Sequence, residues 1–404
     1  MRFSQGKKPV PQALAAIFLR GTMFKKKEKT PVVLQVLPEM NHGGVEMGTV
    51  EIASGLQAAG IKNFVASAGG RMVYDLQKLK VKHFELPLKT KNPFKIWSNA
   101  KKLEKIIKDN GINIVHARSR APAWSAYWAA KRAGVVFVTT FHGTYGLGPW
   151  GLKKIYNKVM TFGKLIISIS THITNHIIKE YGVNPDKIRL IHRCVNLDNF
   201  SPDKVTQERI IKALRDNHIP EDKPIISLIG RVTRWKGQHL LIEALSKVKS
   251  KDFYCLIVGS DQGRVHYTNE LKELVHRYGL EGKVEFIDHS FDIPALLMIS
   301  DVVLSTAIEP EAFGRAAIEG QAMGKIVLAS NIGGSLDNTI DGVTGKLFES
   351  NNAQSLADAI DWALTLPKKE KEKISKAAIK NVKDNFTKQI MCDKTIAVYH
   401  ELLK

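Results

Sequence analysis

The run DVVLSTAIEPEAFGRAAIEGQAMG, residues 301–324, holds a strand, a loop and a helix in that order. Its first seven residues are largely apolar and β-branched, as strands are, whereas Ala316, Ala317, Ile318 and Ala322 favour helix. Glu311 therefore falls in the loop and Glu319 on the helix. Gly314, just ahead of the helix, lets a ligand approach backbone amides at a helix N-terminus, and Phe313 stands beside it. A pair of carboxylates can accept hydrogen bonds from neutral sugar hydroxyls, while any phosphate has to be held by basic groups elsewhere. Two solvated surface glutamates are the plainer reading of the same residues.

The alternation of strand and helix extends outward in both directions. Strand-like runs occupy residues 31–37, 62–67, 112–117, 135–143, 165–170 and 188–193, and a second series occupies 224–230, 254–259, 284–288, 301–307 and 326–330. Such alternation marks βαβ units and parallel sheets. The breaker-rich NLDNFSPD, residues 196–203, separates the two series. The expectation is an α/β protein of two Rossmann-like, doubly wound domains, 31–200 and 201–384, facing each other across a cleft. In such sheets ligands bind beyond the carboxyl ends of the strands.

A chain of 404 residues, 44% of them hydrophobic, is long enough for two cores. Its three cysteines, Cys194, Cys255 and Cys392, lie far apart with no Cys-x-x-Cys pair, which argues against a disulfide framework or a zinc site and suits a reducing cytoplasm. The net charge of +21 is lopsided: residues 1–200 carry 32 Lys and Arg against 11 Asp and Glu, a surplus of 21, whereas residues 201–404 carry 28 of each. A basic half beside a neutral one suggests that one domain meets an anionic surface. Residues 1–30 read as a basic extension in which the apolar stretch 10–19, flanked by Lys7, Lys8 and Lys25 to Lys27, is too short to span a bilayer and has no cleavage site. No other run reaches the length of a transmembrane helix.

Several strand ends carry chemistry. After the first strand, NHGGVEMGT places Gly43, Gly44 and Gly48 ahead of a helix ending near Gly60, so that backbone can approach a ligand; the spacing is not that of a dinucleotide fingerprint. After the first strand of the second series, GRVTRWKG, residues 230–237, sets Arg231 and Lys236 where two cations can flank a diphosphate. After the last strand, GGSLDNTIDGVTG, residues 333–345, offers the N–H groups of Gly333 and Gly334 to a phosphate or hydroxyl. His142, before Gly143, closes a strand of the first half and points at the same crevice. No metal-binding Asp-x-Asp or Walker loop accompanies them. A diphosphate site without metal needs its cations to stabilise leaving-group charge.

Taken in order, the glycine loop, HG, GRxxxxKG, EPEAFG…IE and GG…DG.TG resemble the retaining glycosyltransferases of family four, over residues 31–404. The resemblance implies the two-domain GT-B architecture, with the last helix, 385–404, returning onto the first domain. It implies a nucleotide-diphosphate sugar donor and no cofactor or metal. Arg231 and Lys236 would hold the diphosphate, Glu319 the ribose, Glu311 the transferred sugar, and His142 and Gly44 the sugar and phosphate side. Two positions depart from the family's pattern. Asp337 stands where Glu is common, and VGSDQGR, residues 258–264, stands where many members have Gly-x-Gly-Pro.

The reaction implied is transfer of a sugar to an acceptor hydroxyl with retention, the departing diphosphate itself taking the acceptor's proton. The family places its acceptor on the first domain, which here holds the whole charge surplus. Residues 144–164 mix Trp150, Tyr156 and Phe162 with Lys153, Lys154, Lys158 and Lys164, the pattern of an interfacial helix, and Arg118 and Arg120 follow the strand at 112–117. These features suggest a lipid-linked or phosphorylated glycan acceptor at the inner face of the cytoplasmic membrane, in lipopolysaccharide core or related envelope glycan synthesis. Nothing resembles a nucleic-acid module. A nucleotide-sugar epimerase of related architecture and a non-catalytic basic adaptor are the competing readings.

Overall fold

The computed structural model describes residues 29–41, 43–146, 148, 151–288 and 292–404. The expected extension, apart from its last two residues, and Trp150 lie outside the described residues. The first domain alternates β1 (Val33–Val36), α1 (Gly44–Ala58), β2 (Asn63–Ser67), α2 (Val73–Lys78), β3 (Lys82–Glu85), α3 (Pro93–Asp109), β4 (Ile114–Ala117), α4 (Arg120–Ala133), β5 (Val136–Phe141), α5 (Leu152–Asn157), β6 (Ile166–Ser168), α6 (Thr171–Tyr181) and β7 (Ile188–Leu190). After α7 (Gln207–Asp216), the second domain runs β8 (Ile225–Ile229), α8 (Gln238–Lys247), β9 (Tyr254–Val258), α9 (Val265–Arg277), β10 (Val284–Ile287), α10 (Ile293–Ile299), β11 (Val302–Ser305), α11 (Arg315–Ala322), β12 (Ile326–Ser330), α12 (Ser335–Asn338) and β13 (Lys346–Phe348). Three helices close the chain: α13 (Ala353–Thr365), α14 (Lys368–Asn385) and α15 (Lys388–Leu403).

Both sheets are parallel, ordered β3-β2-β1-β4-β5-β6-β7 and β10-β9-β8-β11-β12-β13. The strand order reverses between β1 and β4 in one sheet and between β8 and β11 in the other, so each carboxyl edge has a crevice at that point. This is the doubly wound α/β architecture expected. Most central strands are buried along their whole length, as parallel strands with both faces covered must be. Two strands were not legible in the sequence. β3 reads KHFE and β13 is three residues long, and both lie at sheet edges where one flank needs no partner.

The chain's end belongs to the first domain. α15 packs on α1, where Gly55 lacks the Cβ that would meet Cys392 Sγ at 2.5 Å. Tyr399, fully buried, meets His116 Nδ1 through its hydroxyl at 2.7 Å, and His116 Nε2 meets Thr140 Oγ1 at the same distance. Met391, Tyr399 and Leu402 share a core with Val33, Ile52 and Leu56. Among the described residues, no helix is long and apolar enough to cross a membrane.

Candidate active site

A cavity of about 440 Å³ opens between the domains, lined from one side by Gly44, His142 and Arg193 and from the other by Arg231, Lys236, Glu311, Arg315 and Glu319. Each lining segment sits beyond a strand's carboxyl end. Gly44 starts α1 after β1, Arg231 and Lys236 follow β8, and Glu311 follows β11, so the strands flanking both reversal points supply the cavity.

Lys236 is placed by its backbone. It ends a 3₁₀ turn, residues Arg234–Lys236, that Gly237 closes at φ 73°, where a Cβ would lie 2.1 Å from Thr306 O. Thr306 Oγ1 donates to Lys236 O at 2.8 Å, fixing the turn to the end of β11. From there the Lys236 ammonium pairs with the Glu311 carboxylate. Glu311 is 8% exposed, so this pair is largely withdrawn from water. Arg231, by contrast, is exposed at the cavity wall.

The second glutamate has its own partner. Arg315 Nη2 lies 3.3 Å from Glu319 Oε1, one helical turn apart on α11. Burial pushes the Glu319 carboxyl up, Arg315 opposes it, and Glu51 of α1 pushes further upward from across the cleft. Beneath the cavity, Arg193 donates to Gly44 O at 2.7 Å and lies 3.5 Å from Glu51. Burial holds the His142 ring well below the usual histidine value, and the nearby Arg118 and Arg193 add to the effect, so its imidazole is neutral at neutral pH.

Two family descriptions together span most of the chain: Glycosyltransferase Family 4 matches residues 42–199 and Glycosyl transferases group 1 matches residues 210–381. A crystal structure of a glycosyltransferase from Rickettsia africae superposes with a TM-score of 0.87 at 42% identity, covering 93% of this chain and 99% of that one. This chain belongs to the family 4 glycosyltransferases. Among curated relatives, a D-inositol 3-phosphate glycosyltransferase of Corynebacterium diphtheriae is 27% identical over 232 residues, 56% of this chain and 53% of that protein. The chain spans about half the length of the curated relatives it matches, 53% and 46% for two of them. Anabaena HepE, solved in complex with UDP and glucose, shares the fold at 21% identity, with a TM-score of 0.78 over 91% of this chain and 99% of its own.

Within this family 4 chain, the structure gathers most of the residues expected from sequence. Arg231, Lys236, Glu311, Glu319, His142, Gly44, Phe313 and Gly314 all line the one cavity. Gly43, the residue before α1, is extended at φ 175°, and a Cβ there would meet the Glu46 carboxylate at 2.5 Å. Gly48 is not part of a loop: it lies inside α1, where a Cβ would strike the Arg193 guanidinium at 2.0 Å.

Four further expectations are corrected. Gly333 and Gly334 do not line the cavity. The Gly334 N–H donates to Glu311 O at 2.8 Å, and Cβ atoms at the two glycines would lie 2.6 Å from Glu311 O and 2.3 Å from Phe313 Cα. The pair instead supports the loop that carries Glu311. Arg118, expected to meet the acceptor, is 3% exposed and donates to Gln35 Oε1 at 3.0 Å. Arg120 is half-buried, donates to Asn157 Oδ1 at 3.3 Å and stacks 4.5 Å from the Tyr145 ring centroid. Over residues 151–164 the expected interfacial helix is the six residues of α5 and a 3₁₀ turn, with Lys153 exposed, Lys154 half-buried and Phe162 turned edge-on to Trp124.

The sequence reading missed Arg193, Arg315 and Glu51. Arg315 had a signal, since it stands four residues before Glu319 on the same helix. Arg193 had a weaker one, a basic residue just past the carboxyl end of β7.

Proposed function

We propose that the chain transfers a sugar from a nucleotide-diphosphate donor to an acceptor hydroxyl with retention of the anomeric configuration and without a metal. The observation carrying this reading is the pairing of Lys236 with Glu311, beside Arg231 and opposite Gly44, at the reversal points of both sheets. Arg231 and Lys236 stabilise the charge that builds on the departing diphosphate. Glu311 accepts hydroxyls of the transferred sugar, and Glu319 accepts those of the ribose. Glu311 is held by a cation and serves to bind rather than to attack, so the departing phosphate oxygen takes the acceptor's proton on the face where the new bond forms. Neutral His142 offers a hydrogen bond without adding charge.

The donor reading draws support from the shared fold with HepE, whose structures hold UDP and UDP-glucose. For the acceptor we favour a lipid-linked or phosphorylated glycan at the inner face of the cytoplasmic membrane, in lipopolysaccharide core or related envelope glycan synthesis. The surplus of 21 positive charges in residues 1–200 supports an anionic acceptor. So does the name of the curated relatives, which gives those proteins a phosphorylated inositol.

Thermal shift with UDP-, GDP- and ADP-sugars tests the donor, because a ligand of the native state alone raises apparent stability. One nucleotide class is expected to raise Tm, and no response to any of them overturns the reading. NMR of the product's anomeric proton then distinguishes retention from inversion, and incubation without acceptor distinguishes transfer from epimerisation.

A further inference from the structure

A second concavity lies on the first domain, apart from the donor cleft. α3 and α4 pack side by side, and with α5 they enclose a groove of about 470 Å³ whose apolar wall is Pro93, Ile96, Trp97, Trp124, Trp128 and Tyr156. The apolar surface continues outside it. Phe94, beside Pro93, is 84% exposed, Trp97 is 52% exposed, and Ile155, beside Tyr156, is 68% exposed. Single exposed apolar residues are ordinary, but a contiguous aromatic patch around a groove marks a contact surface.

The rim is cationic. Lys91 and Arg132 line the groove, and Lys101 Nζ sits 3.6 Å from the Trp97 ring centroid. α3 and α4 carry two carboxylates between them, Glu104 and Asp109, and both are already engaged, by Lys108 at 2.7 Å and Lys105 at 3.2 Å. A protein partner fits poorly, because lysine is depleted where proteins bind proteins. Tryptophan and phenylalanine ringed by lysine suit the boundary between lipid headgroups and acyl chains, where an aromatic ring buries its body and ammonium groups meet phosphate.

Position supports the same occupant. α3 and α4 begin at Pro93 and Arg120, at the carboxyl edge of the first sheet, and that edge also carries Gly44 and His142. A surface resting on this face would hold a lipid-borne acceptor beside the edge where the donor cavity opens.

We propose that the α3–α4 face docks on an anionic phospholipid bilayer, with Phe94, Trp97 and Ile155 entering the headgroup boundary, an acyl chain in the groove, and Lys91, Lys95, Lys101 and Arg132 against lipid phosphates. This deepens the acceptor half of the proposed function and rests on it. Docking is measured without any transfer, so the two fail separately.

The test is flotation of the full chain with phosphatidylglycerol–phosphatidylcholine vesicles at physiological salt, beside vesicles of phosphatidylcholine alone. The wild type is expected to float with the anionic vesicles, and F94S/W97S to bind them at least about tenfold more weakly, since each aromatic ring withdrawn from water contributes substantially to partitioning. Neither residue touches the donor cavity, so the variant should keep the wild-type Tm and nucleotide-sugar shift, which shows that it is folded. Absence of wild-type flotation overturns the proposal, as does F94S/W97S floating like wild type. A dimer in light scattering that F94S/W97S abolishes would show a second copy on this face and also overturn it. Loss of the nucleotide-sugar response with flotation intact would strike the transferase reading alone.

Discussion

Asp337 Oδ2 accepts the backbone N–H of Thr171 at 2.6 Å, joining α12 of the second domain to the first residue of α6 in the first. The same oxygen lies 3.2 Å from His192 Nε2. The His192 ring stacks on Phe313, 5.7 Å between centroids, so this contact adjoins the loop that carries Glu311. Burial pushes the Asp337 carboxyl up, but the hydrogen bonds from His192 and Thr171 outweigh it and leave the group below its ordinary value.

Asp337→Ala removes both contacts and should cost about 1.5–3 kcal/mol, the range for hydrogen bonds to a charged group. A carboxyl depressed in the folded state contributes fully above its unfolded pKa, near about 3.9, and its contribution is lost as pH falls through the folded value. The stability gap between wild type and variant, measured by urea denaturation, should be full at neutral pH and close as the solution is taken below about pH 4. A gap that persists unchanged into acid would show that the carboxylate is not its source.

Lys236→Ala should lower turnover by about 100- to 1000-fold, as loss of a group that stabilises transition-state charge does. It also leaves Glu311 largely buried without its cation, so a loss of about 1–3 kcal/mol in stability should accompany it. Adding Glu311→Gln should recover part of that stability and none of the rate. Initial rates and thermal melts of the wild type and the two variants decide, and a folded Lys236→Ala with near-normal turnover removes Lys236 from the mechanism.

Two glycines give opposite expectations. At Gly44 a Cβ meets nothing within 4 Å and projects from a cavity-lining residue, so Gly44→Ala should fold with unchanged Tm yet lose donor binding. At Gly334 a Cβ would lie 2.3 Å from Phe313 Cα. Gly334→Ala should therefore cost about 1–3 kcal/mol by overpacking and weaken donor binding only through the displaced loop. Calorimetric titration with the nucleotide sugar, paired with melts, separates the two cases.

Two histidines of the first domain, His116 in the core and His142 at the cavity, make the fold acid-sensitive well above the carboxylate range. Burial holds His116 and His142 well below the usual histidine value, with Arg118 adding to both. Both are neutral in the fold but take up protons when unfolded, so stability is full above about pH 6.5 and declines as pH falls, by up to about 1.4 kcal/mol per pH unit for each. Urea denaturation between pH 7 and pH 5 should show this slope. His142→Asn should flatten it in part, and an unchanged slope would exclude His142 as a contributor.

Most of this architecture was legible because buried parallel strands advertise themselves as apolar, β-branched runs, and because strand ends carry the ligand chemistry. What escaped did so for physical reasons. β3 and β13 are short edge strands with little apolar signal. Gly333 and Gly334 look in sequence like amides open to a ligand, yet a glycine pair equally permits one backbone to press on another, and sequence does not distinguish these uses. The sequence points to residues 144–164 for the aromatic face, while its most exposed rings, Phe94 and Trp97, lie at the start of α3. There, apolar residues that look like core positions turn out to face outward.

The placement of α15 against α1 bears on the order in which the protein matures. Ribosomal synthesis delivers residues 388–403 only after the whole second sheet, yet they complete the core around Val33, Ile52 and Leu56. Domains generally fold as units while the chain emerges, the N-terminal one first. Here the N-terminal unit waits with an open seam until α15 has been made, so the domain begun first is completed only after the second sheet has emerged.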